Sequence, residues 1–426
     1  MTNDECGMAN DGKRIVIVGG GVIGLCAAYY CAKRGHRVTV IDAGDGEHGC
    51  SHGNAGMIVP SHFVPLAAPG MVALGLKWMW NPESPFWIKP RLSWELLEWG
   101  LKFWKSATAE HARRSAVVLR DMHLASRECF EEIAVECGND FGLVKKGLLM
   151  LCKTQHALDE EAETAKAAKE LGIPAQVLDV RQTAALDPAV RMEVAGSVYF
   201  PKDCHLSPSA FMRSLRKLLE KLGVTIRDHL EVTRWDFSHG GRQIAAVHCG
   251  DEVIEGDEFV LAAGSWSPEL ARDLGLRLPM QAGKGYSLTL EPPRELPQIC
   301  SILTEARVAV TPMGSSLRVG GTMEIAGNDT SINPRRVNGI IKAMPAYFPE
   351  FRVEDFAGVK PWVGLRPCSP DGLPYLGRSA KQENLVIATG HAMMGLSLGP
   401  VSGRLVSEIV SGEKPEIDLA MLAPGR

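Results

Sequence analysis

The stretch Lys13–Asp42, KRIVIVGGGVIGLCAAYYCAKRGHRVTVID, decides the fold of this chain. An apolar run, a glycine turn (GGGVIG), an Ala-rich segment and a β-branched run ending at Asp42 predict strand, turn, helix and strand. A dinucleotide fingerprint requires this context, because Gly21 lets backbone N–H groups approach a pyrophosphate at the helix N-terminus. Asp42, eighteen residues after Gly24, can accept a hydrogen bond from a ribose hydroxyl. The stretch predicts a dinucleotide site, and by itself it suits NAD as well as FAD.

Length, charge and cysteine content narrow the class of protein. A chain of 426 residues is expected to form two domains. The formal net charge of −4 gives no general basic surface, so nucleic acid is not an expected partner. The eleven Cys include no CxxC pair and no Cys/His cluster at metal spacing. We therefore expect reduced thiols in a cytoplasmic protein without a metal site.

Residues 71–106 hold many Trp and several basic side chains. Six of the nine Trp lie between positions 78 and 104, Trp80 among them. Such a segment can pack as the core or lid of a second domain, or it can dock on a membrane surface beside a quinone. We favour packing, because single amphipathic helices are far more often packed than membrane-bound. Four apolar side chains share one face of a predicted helix here: Trp94, Leu97, Leu101 and Trp104.

Further α/β units follow along the chain. Ser207-Pro208 opens a predicted helix, and strand Glu258–Ala262 runs into a glycine turn at Gly264. Strand Leu385–Ala388 precedes a second glycine turn and a helix predicted from Gly395 to Ile409. β-rich pieces dominate residues 279–356. The predicted fold class is an α/β dinucleotide-binding domain combined with a domain on a mostly antiparallel sheet.

Several separate motifs now carry a resemblance. They are GGGVIG with Asp42, CSHGNAGM, LAAGSW, KGYS, GLRPCSPDGLPYLG and ATGHAMMGLSLGPVSGRLVSEIVSG. With them the chain resembles the D-amino-acid oxidase/glycine oxidase superfamily of FAD-dependent amine oxidoreductases over nearly its whole length. Within that superfamily it is most similar to bacterial D-amino-acid dehydrogenases and their D-hydroxyproline dehydrogenase relatives.

The resemblance implies a Rossmann-like, GR2-type FAD-binding domain interleaved with a substrate domain. The FAD-binding domain would comprise residues 10–65, 203–280 and 356–426. Residues 66–202 and 281–355 would form the substrate domain.

The resemblance also implies which residues meet the cofactor. FAD would be bound non-covalently, because aligning Ser369-Pro370-Asp371 with relatives that attach flavin covalently puts the attachment position nearer Gly364 than Cys368. The helix after Gly395 would point its N-terminal dipole at the flavin ring. The implied FAD contacts are Gly19, Gly21, Val22, Ile23, Gly24, Asp42, Ala43, Cys50, Ser51, Asn54, Ala55, Gly56, Met57, Val232, Gly264, Trp266, Gly390, His391, Gly395, Leu396 and Ser397.

The substrate side is predicted from chemistry and resemblance together. An α-amino acid must be clamped by its carboxylate, and a guanidinium does this best through two hydrogen bonds. Arg366 in GLRP matches the carboxylate-binding Arg of the superfamily. Tyr286 in KGYS would reach the substrate, and His52 and His391 are further candidate polar contacts. Met393 stands where glycine oxidase-like relatives have a second Arg, which leaves the expected pocket more apolar.

The implied activity is oxidation of a D-amino acid, with proline and hydroxyproline as candidates, by hydride transfer from Cα to flavin N5. The imino acid would hydrolyse to a 2-oxo acid and ammonia, and the electrons would pass to a quinone or carrier. Two alternatives stay open: an oxidase that releases hydrogen peroxide, and a flavin-binding subunit of a larger dehydrogenase. The expected location is the cytoplasm, with a peripheral position on the inner face of the membrane as the variant.

Overall fold

The computed structural model describes residues 12–78 and 84–426, so Trp80 and residues 10 and 11 lie outside the described residues. The strands in this part of the chain are β1 (Arg14–Val18), β2 (Arg37–Ile41), β3 (Met57–Ile58), β4 (Phe86–Ile88), β5 (Leu148–Cys152), β6 (Gln176–Asp179), β7 (Gly196–Phe200), β8 (Cys204–His205), β9 (Thr225–Arg227), β10 (Arg234–Ser238), β11 (Gln243–Cys249), β12 (Glu252–Glu255), β13 (Glu258–Leu261), β14 (Gln281–Leu290), β15 (Cys300–Leu303), β16 (Val308–Met313), β17 (Ser316–Ile325), β18 (Trp362–Cys368), β19 (Tyr375–Arg378) and β20 (Leu385–Thr389).

The α-helices are spread between these strands. Ser207 caps the α7 helix by accepting a hydrogen bond from the Ala210 amide, as the Ser-Pro pair predicts. The helices of the described residues are α1 (Val22–Lys33), α2 (Met71–Trp78), α3 (Trp94–Ser106), α4 (Ala109–Glu136), α5 (Gln155–Glu170), α6 (Val180–Leu186), α7 (Pro208–Lys221), α8 (Ser267–Asp273), α9 (Pro334–Tyr347) and α10 (Gly399–Ser411).

Sheet I is the predicted dinucleotide-binding layer. Its strands run in the order β19-β20-β13-β1-β2-β9, and every neighbouring pair from β20 to β9 is parallel. Helices α1, α7 and α10 cover one face, and the antiparallel sheet β10-β11-β12 covers the other. Because both faces are buried, the strands are continuous apolar runs rather than alternating ones.

The α1 helix is enclosed by sheet I and by α10. Its residues from Val22 to Cys31 are all buried, which suits the small Ala and Cys side chains there. A Cβ atom at Gly403 of α10 would lie 2.4 Å from the backbone of Cys26. The two helices can therefore pack this closely only with glycine at that position.

Sheet II forms the second domain. Its order is β18-β14-β17-β16-β15-β5-β7-β6, with β4 beside β17. Only β15–β5 and β17–β4 are parallel pairs in the described part of this sheet. The predicted mostly antiparallel sheet is thus confirmed.

Three predicted boundaries differ from the structure. β18 falls in the predicted FAD segment 356–426, yet it pairs with β14 along its whole length in sheet II. α4 falls in the predicted substrate segment, yet Phe130 and Ile133 on its apolar stripe join the core beneath α1. The last long helix begins at Gly399 rather than Gly395, because Pro400 sets its first turn.

The Trp-rich segment is packed on one side only. In α3, Trp99 is buried and stacks on Phe103, whereas Trp94 and Trp104 are exposed. Packing as the core or lid of the second domain, the favoured prediction, agrees with the buried inner face of this helix, and its outer face is exposed. None of the described helices is long and apolar enough to cross a membrane.

Candidate functional site

The glycine turn after β1 has the geometry of a dinucleotide site. A Cβ at Gly24 would lie 1.8 Å from the Gly19 carbonyl oxygen, so only glycine lets α1 pack this close to the turn. Asp42 accepts hydrogen bonds from the Gly20 amide (2.5 Å) and the Gly44 amide (2.7 Å). Each carboxylate oxygen keeps a lone pair for a ribose hydroxyl.

Two distant segments meet this turn. The Ser51 hydroxyl accepts a hydrogen bond of 2.9 Å from the Val22 amide in the first turn of α1. The Leu230 amide donates to the Asp42 carbonyl (2.9 Å), which brings buried Val232 beside the same strand end. The structure thus gathers one group of predicted contacts: Gly19, Gly21, Val22, Ile23, Gly24, Asp42, Ala43, Ser51 and Val232.

The loop between Ser51 and β3 is held against sheet II by its carbonyl groups. Arg318 Nη1 donates to the carbonyls of His52 (2.8 Å) and Asn54 (2.9 Å), and the Ser287 hydroxyl donates to that of Gly53 (3.0 Å). Arg318 was not predicted from the sequence: its alternation with Leu317 and Val319 looks the same as for a solvent-facing Arg. The loop holds the predicted contacts Asn54, Ala55, Gly56 and Met57.

Sheet II presents a glycine-lined face toward this loop. A Cβ at Gly364 would lie 2.0 Å from the Trp362 indole, and a Cβ at Gly285 would lie 2.1 Å from the Arg366 guanidinium. Gly285 and Gly364 are cross-strand partners. Both large side chains can therefore lie flat over the same pair of glycines.

Arg366 is a half-buried cation without a carboxylate partner. Its Nη1 donates to the Thr322 carbonyl at 2.6 Å. No carboxylate in the described residues lies within 4.0 Å of it, and burial lowers the pKa of the guanidinium. The two charge interactions that offset this are with the thiols of Cys50 and Cys368. An anion bound here would supply the missing charge.

The second glycine turn lies between β20 and α10, and it contacts the end of β18. Cys368 and His391 form an antiparallel bridge, which brings the turn beside the end of β18, two residues from Arg366. The predicted contacts Gly390, Gly395 and Leu396 belong to this turn. The Ser397 hydroxyl bonds to His123 Nδ1 (2.9 Å) and accepts from the Val59 amide (3.0 Å). His123 is a contact that the sequence did not reveal.

Three predicted substrate contacts, Tyr286, His52 and His391, do not lie where the sequence predicted. Tyr286 belongs to the core on the other face of sheet II, where its hydroxyl donates to Glu324 at 2.5 Å, so it does not reach the substrate side. Neighbouring strand residues point to opposite faces, and Gly285 rather than Tyr286 shares the face of Arg366. His52 lines a cavity of about 380 Å³ that includes Trp362 but not Arg366.

His391 does not take the predicted role of a polar substrate contact. Its ring is buried and Nε2 bonds to Ser402 of α10 at 2.9 Å. Burial lowers the pKa of His391 to about 3, so the ring is neutral. The Trp266 indole is about half exposed, at 49%. Its turn is tied to the site through Ser265, whose hydroxyl donates to the Leu365 carbonyl at 3.1 Å.

These residues fit FAD. The turn, Asp42 and Ser51 suit the two phosphates and the ribose. Buried ring nitrogens of His123 (Nε2) and His391 (Nδ1) have no hydrogen-bond partner in the described chain. His391 lies on the C-terminal turn and His123 of α4 contacts that turn through Ser397, where a bound ring would bring polar atoms.

Comparison with known proteins gives the same assignment. A family model described as FAD dependent oxidoreductase (DAO) matches residues 14–409. The D-amino acid dehydrogenase of Methylobacterium radiotolerans is 35% identical over 97% of this chain and 99% of that protein. The one of Granulibacter bethesdensis is 33% identical over the same shares. The crystal structure of glycine oxidase from Geobacillus kaustophilus matches with a TM-score of 0.77 at 24% identity, covering 97% of this chain and 99% of its own.

Proposed function

The chain belongs to the DAO family of FAD-dependent oxidoreductases, and from that membership we propose that it dehydrogenates a D-amino acid. The two bacterial relatives named D-amino acid dehydrogenase support this substrate class. The observation that carries the proposal is Arg366, a half-buried guanidinium on the glycine-lined face that lacks a carboxylate partner among the described side chains.

Arg366 would bind the substrate carboxylate. Its Nη1 is already fixed by Thr322, so the fork is oriented before the substrate arrives. The remaining N–H groups can form two parallel hydrogen bonds with a carboxylate, which sets the direction of Cα. A ligand that offered Arg366 a neutral amide or hydroxyl would not supply the negative charge that the guanidinium lacks.

The same positive charge would favour a neutral substrate amine. A cation with no neighbouring carboxylate lowers the pKa of an ammonium group bound nearby. The oxidation requires the free amine lone pair, so Arg366 helps without any residue acting as a strong base. Apolar neighbours on this side, Met323, Cys368 and Ala392, would exclude water from the reacting carbon.

FAD, when bound, supplies the two-electron oxidising chemistry that no side chain provides. The substrate loses two electrons and two protons to give an imino acid, which water converts to a 2-oxo acid and ammonia. We infer that FAD is held non-covalently. Burial raises the pKa of the Cys368 thiol to about 12, which leaves it a poor nucleophile.

We further propose that a quinone or another electron carrier accepts the electrons and that the protein works in the cytoplasm. A quinone acceptor would require contact with the inner face of the membrane, for which residues 71–106 are the candidate segment. The buried, unpaired cysteines of the described chain support a reducing compartment.

Anaerobic reduction of the purified flavoprotein tests the proposal. D-amino acids, including proline and hydroxyproline, should bleach the flavin absorbance, and their L-enantiomers should do so far more slowly. Reoxidation in air with little peroxide identifies a dehydrogenase. A flavin that no amino acid reduces would overturn the proposed function, and rapid peroxide release would indicate an oxidase instead.

A further inference from the structure

Three side chains form a hydrogen-bonded chain at the loop after β3. The Ser61 hydroxyl donates to Asp203 Oδ2 at 2.5 Å, and the Ser61 amide donates to Asp203 Oδ1 at 3.1 Å. The Ser61 oxygen lies 3.1 Å from His62 Nδ1. Because the hydroxyl proton of Ser61 is directed at the carboxylate, its oxygen accepts a hydrogen bond from Nδ1–H of His62. The lone pair of the neutral ring is therefore on Nε2.

The loop that carries His62 borders both ends of the candidate site. Three residues before it, the Val59 amide donates to the Ser397 hydroxyl of the C-terminal turn at 3.0 Å. Four residues after it, Leu66 packs on the apolar residues beside Arg366. His62 therefore lies between the turn that would meet the cofactor and the clamp that would hold the substrate.

The surroundings of His62 keep its ring neutral. The ring is half-buried although its neighbours Ser61 and Phe63 are buried. Burial lowers the pKa of His62 to about 4, and the positive charge of Arg307 between β15 and β16 lowers it further. His123 of α4 also faces His62, and burial lowers the pKa of that ring to about 3. The accessible part of the His62 ring thus faces an enclosed space rather than bulk water, and the ring can accept a proton only transiently.

Asp203, at the inner end of the chain, is the group that can keep a proton. Burial raises the pKa of Asp203 from its ordinary 3.8 to about 7, while the two hydrogen bonds from Ser61 and the charge of Arg127 on α4 act in the opposite direction. The thiols of Cys204 and Cys300 also face this carboxylate, and burial keeps both protonated. Asp203 is therefore the member of the chain that changes charge near neutral pH.

We propose that this chain is a proton relay that takes one proton from the substrate ammonium group. His62 Nε2 accepts that proton, the Nδ1 proton passes to the Ser61 oxygen, and the Ser61 hydroxyl proton passes to Asp203. The ammonium becomes a neutral amine and the carboxylate becomes a carboxylic acid, so protons and charge balance. After the product leaves, the proton returns along the same chain and restores the first tautomer of His62.

The relay supplies what the oxidation of an amino acid needs before hydride transfer. An ammonium group has no lone pair to stabilise the oxidised carbon, so its proton must leave first. An acceptor that ionises near the working pH is the most effective general base. The relay acts on nitrogen and not on Cα, so no strong base is involved. His62 contacts the substrate as a catalytic residue, and Ser61 and Asp203 are positioning residues that act through it.

The pH profile of flavin reduction tests the relay, which rests on the proposed function for the identity of the substrate. In wild type, the limiting rate of anaerobic bleaching by a D-amino acid should rise as pH increases through about 7, because Asp203 must be ionised to accept the proton. Asp203→Asn should be about ten-fold slower or more at neutral pH. It should approach wild type at high pH, where the substrate arrives as the free amine.

Matched variants separate proton transfer from packing. His62→Gln keeps a polar side chain but cannot take up a proton, so it should reproduce the profile of Asp203→Asn. Ser61→Ala interrupts the chain, whereas Ser61→Thr keeps the hydroxyl and should retain the wild-type profile. The control is His205→Gln on β8, which replaces a buried ring of similarly lowered pKa, about 4, outside the chain and should also behave as wild type. FAD content shows which variants are folded.

Infrared difference spectra test the relay without any redox step. The ligand 2-aminoisobutyrate carries the same carboxylate and ammonium as a substrate but has no Cα–H, so it cannot reduce the flavin. At about pH 8 most of Asp203 is ionised. Binding of 2-aminoisobutyrate should then produce the band of a protonated carboxyl group in wild type, and no such band in Asp203→Asn or His62→Gln.

The two measurements distinguish failure of the relay from failure of the proposed function. A carboxyl band in a protein whose flavin no amino acid reduces would support the relay and overturn the proposed function. Flavin reduction without the band would overturn the relay alone. So would a rate for Asp203→Asn that falls by the same factor at every pH, since that is the result of a structural role. If Asp203→Asn does not retain FAD, the profile of His62→Gln decides.

Discussion

Replacing Arg366 by Gln should abolish most of the substrate recognition while leaving the fold intact. The guanidinium is held by one hydrogen bond of 2.6 Å to the Thr322 carbonyl, and its other N–H groups face the glycine-lined surface. A substrate carboxylate would gain two charge-assisted hydrogen bonds there, each worth about 1.5–3 kcal/mol. Because the group is only half-buried, we take a combined loss of about 3–5 kcal/mol.

That loss corresponds to a fall in kcat/KM of about 10²- to 10⁴-fold. Stopped-flow bleaching of the flavin under anaerobic conditions measures it directly and separates binding from the limiting reduction rate. Arg366→Lys keeps the charge but loses the second parallel hydrogen bond, so it should fall between wild type and Arg366→Gln. The FAD content of both variants should equal that of wild type.

Thermal stability distinguishes this role from a structural one. A guanidinium in a structural ion pair would leave a buried carboxylate behind when removed, and the melting midpoint would drop. Arg366 has no such partner among the residues described, so the melting midpoint of Arg366→Gln should stay level or rise slightly. Unchanged flavin reduction kinetics, or a large loss of stability, would refute the reasoning.

Three other substitutions test the remaining geometry. Tyr286→Phe should lower the melting midpoint, because losing a hydrogen bond to buried Glu324 costs about 1–3 kcal/mol, while substrate affinity stays unchanged. Arg318→Gln should weaken FAD retention about ten-fold or more, measured by flavin release on dilution, because two loop carbonyls lose a charged donor. Asp203→Asn should become more stable relative to wild type as pH rises from about 4 to about 7, by at most about 4 kcal/mol, in thermal melts at several pH values.

The sign of the Asp203 effect follows from its burial. Burial raises the pKa of Asp203 from its ordinary 3.8 to about 7, so the folded protein holds a proton that the unfolded chain releases. The stabilisation from that proton is complete below about pH 4 and is lost as pH rises through about 7. Other titrating groups cancel when the stability of Asp203→Asn is compared with that of wild type. A stability difference between the two that did not change with pH would contradict this prediction.

A specific result would contradict each of the predictions for Tyr286→Phe and Arg318→Gln. A raised KM in Tyr286→Phe would indicate that the Tyr286 hydroxyl contacts the substrate. Full FAD retention in Arg318→Gln would mean that the loop is held by Ser287 and Ser209 alone.

The parallel layer could be predicted because its signals are local. Gly24 must contact Gly19, Ser207-Pro208 must open a helix, and buried strands must be continuous apolar runs. The placements of Tyr286 and Arg318 could not, because each depends on the register between strands distant in sequence. A one-residue change of face exchanges Gly285 with Tyr286, and no local pattern distinguishes the two arrangements.

β18 explains why one misplaced boundary matters so much for the site. Trp362 at its start covers the loop at Gly53, Arg366 faces the glycine-lined surface, and Cys368 at its end receives Trp99 from α3 and bridges to His391. A single strand of seven residues thus joins the cofactor loop, the carboxylate clamp, the C-terminal turn and the exposed helix. A bound carboxylate that draws Arg366 toward it acts on an element packed against all four.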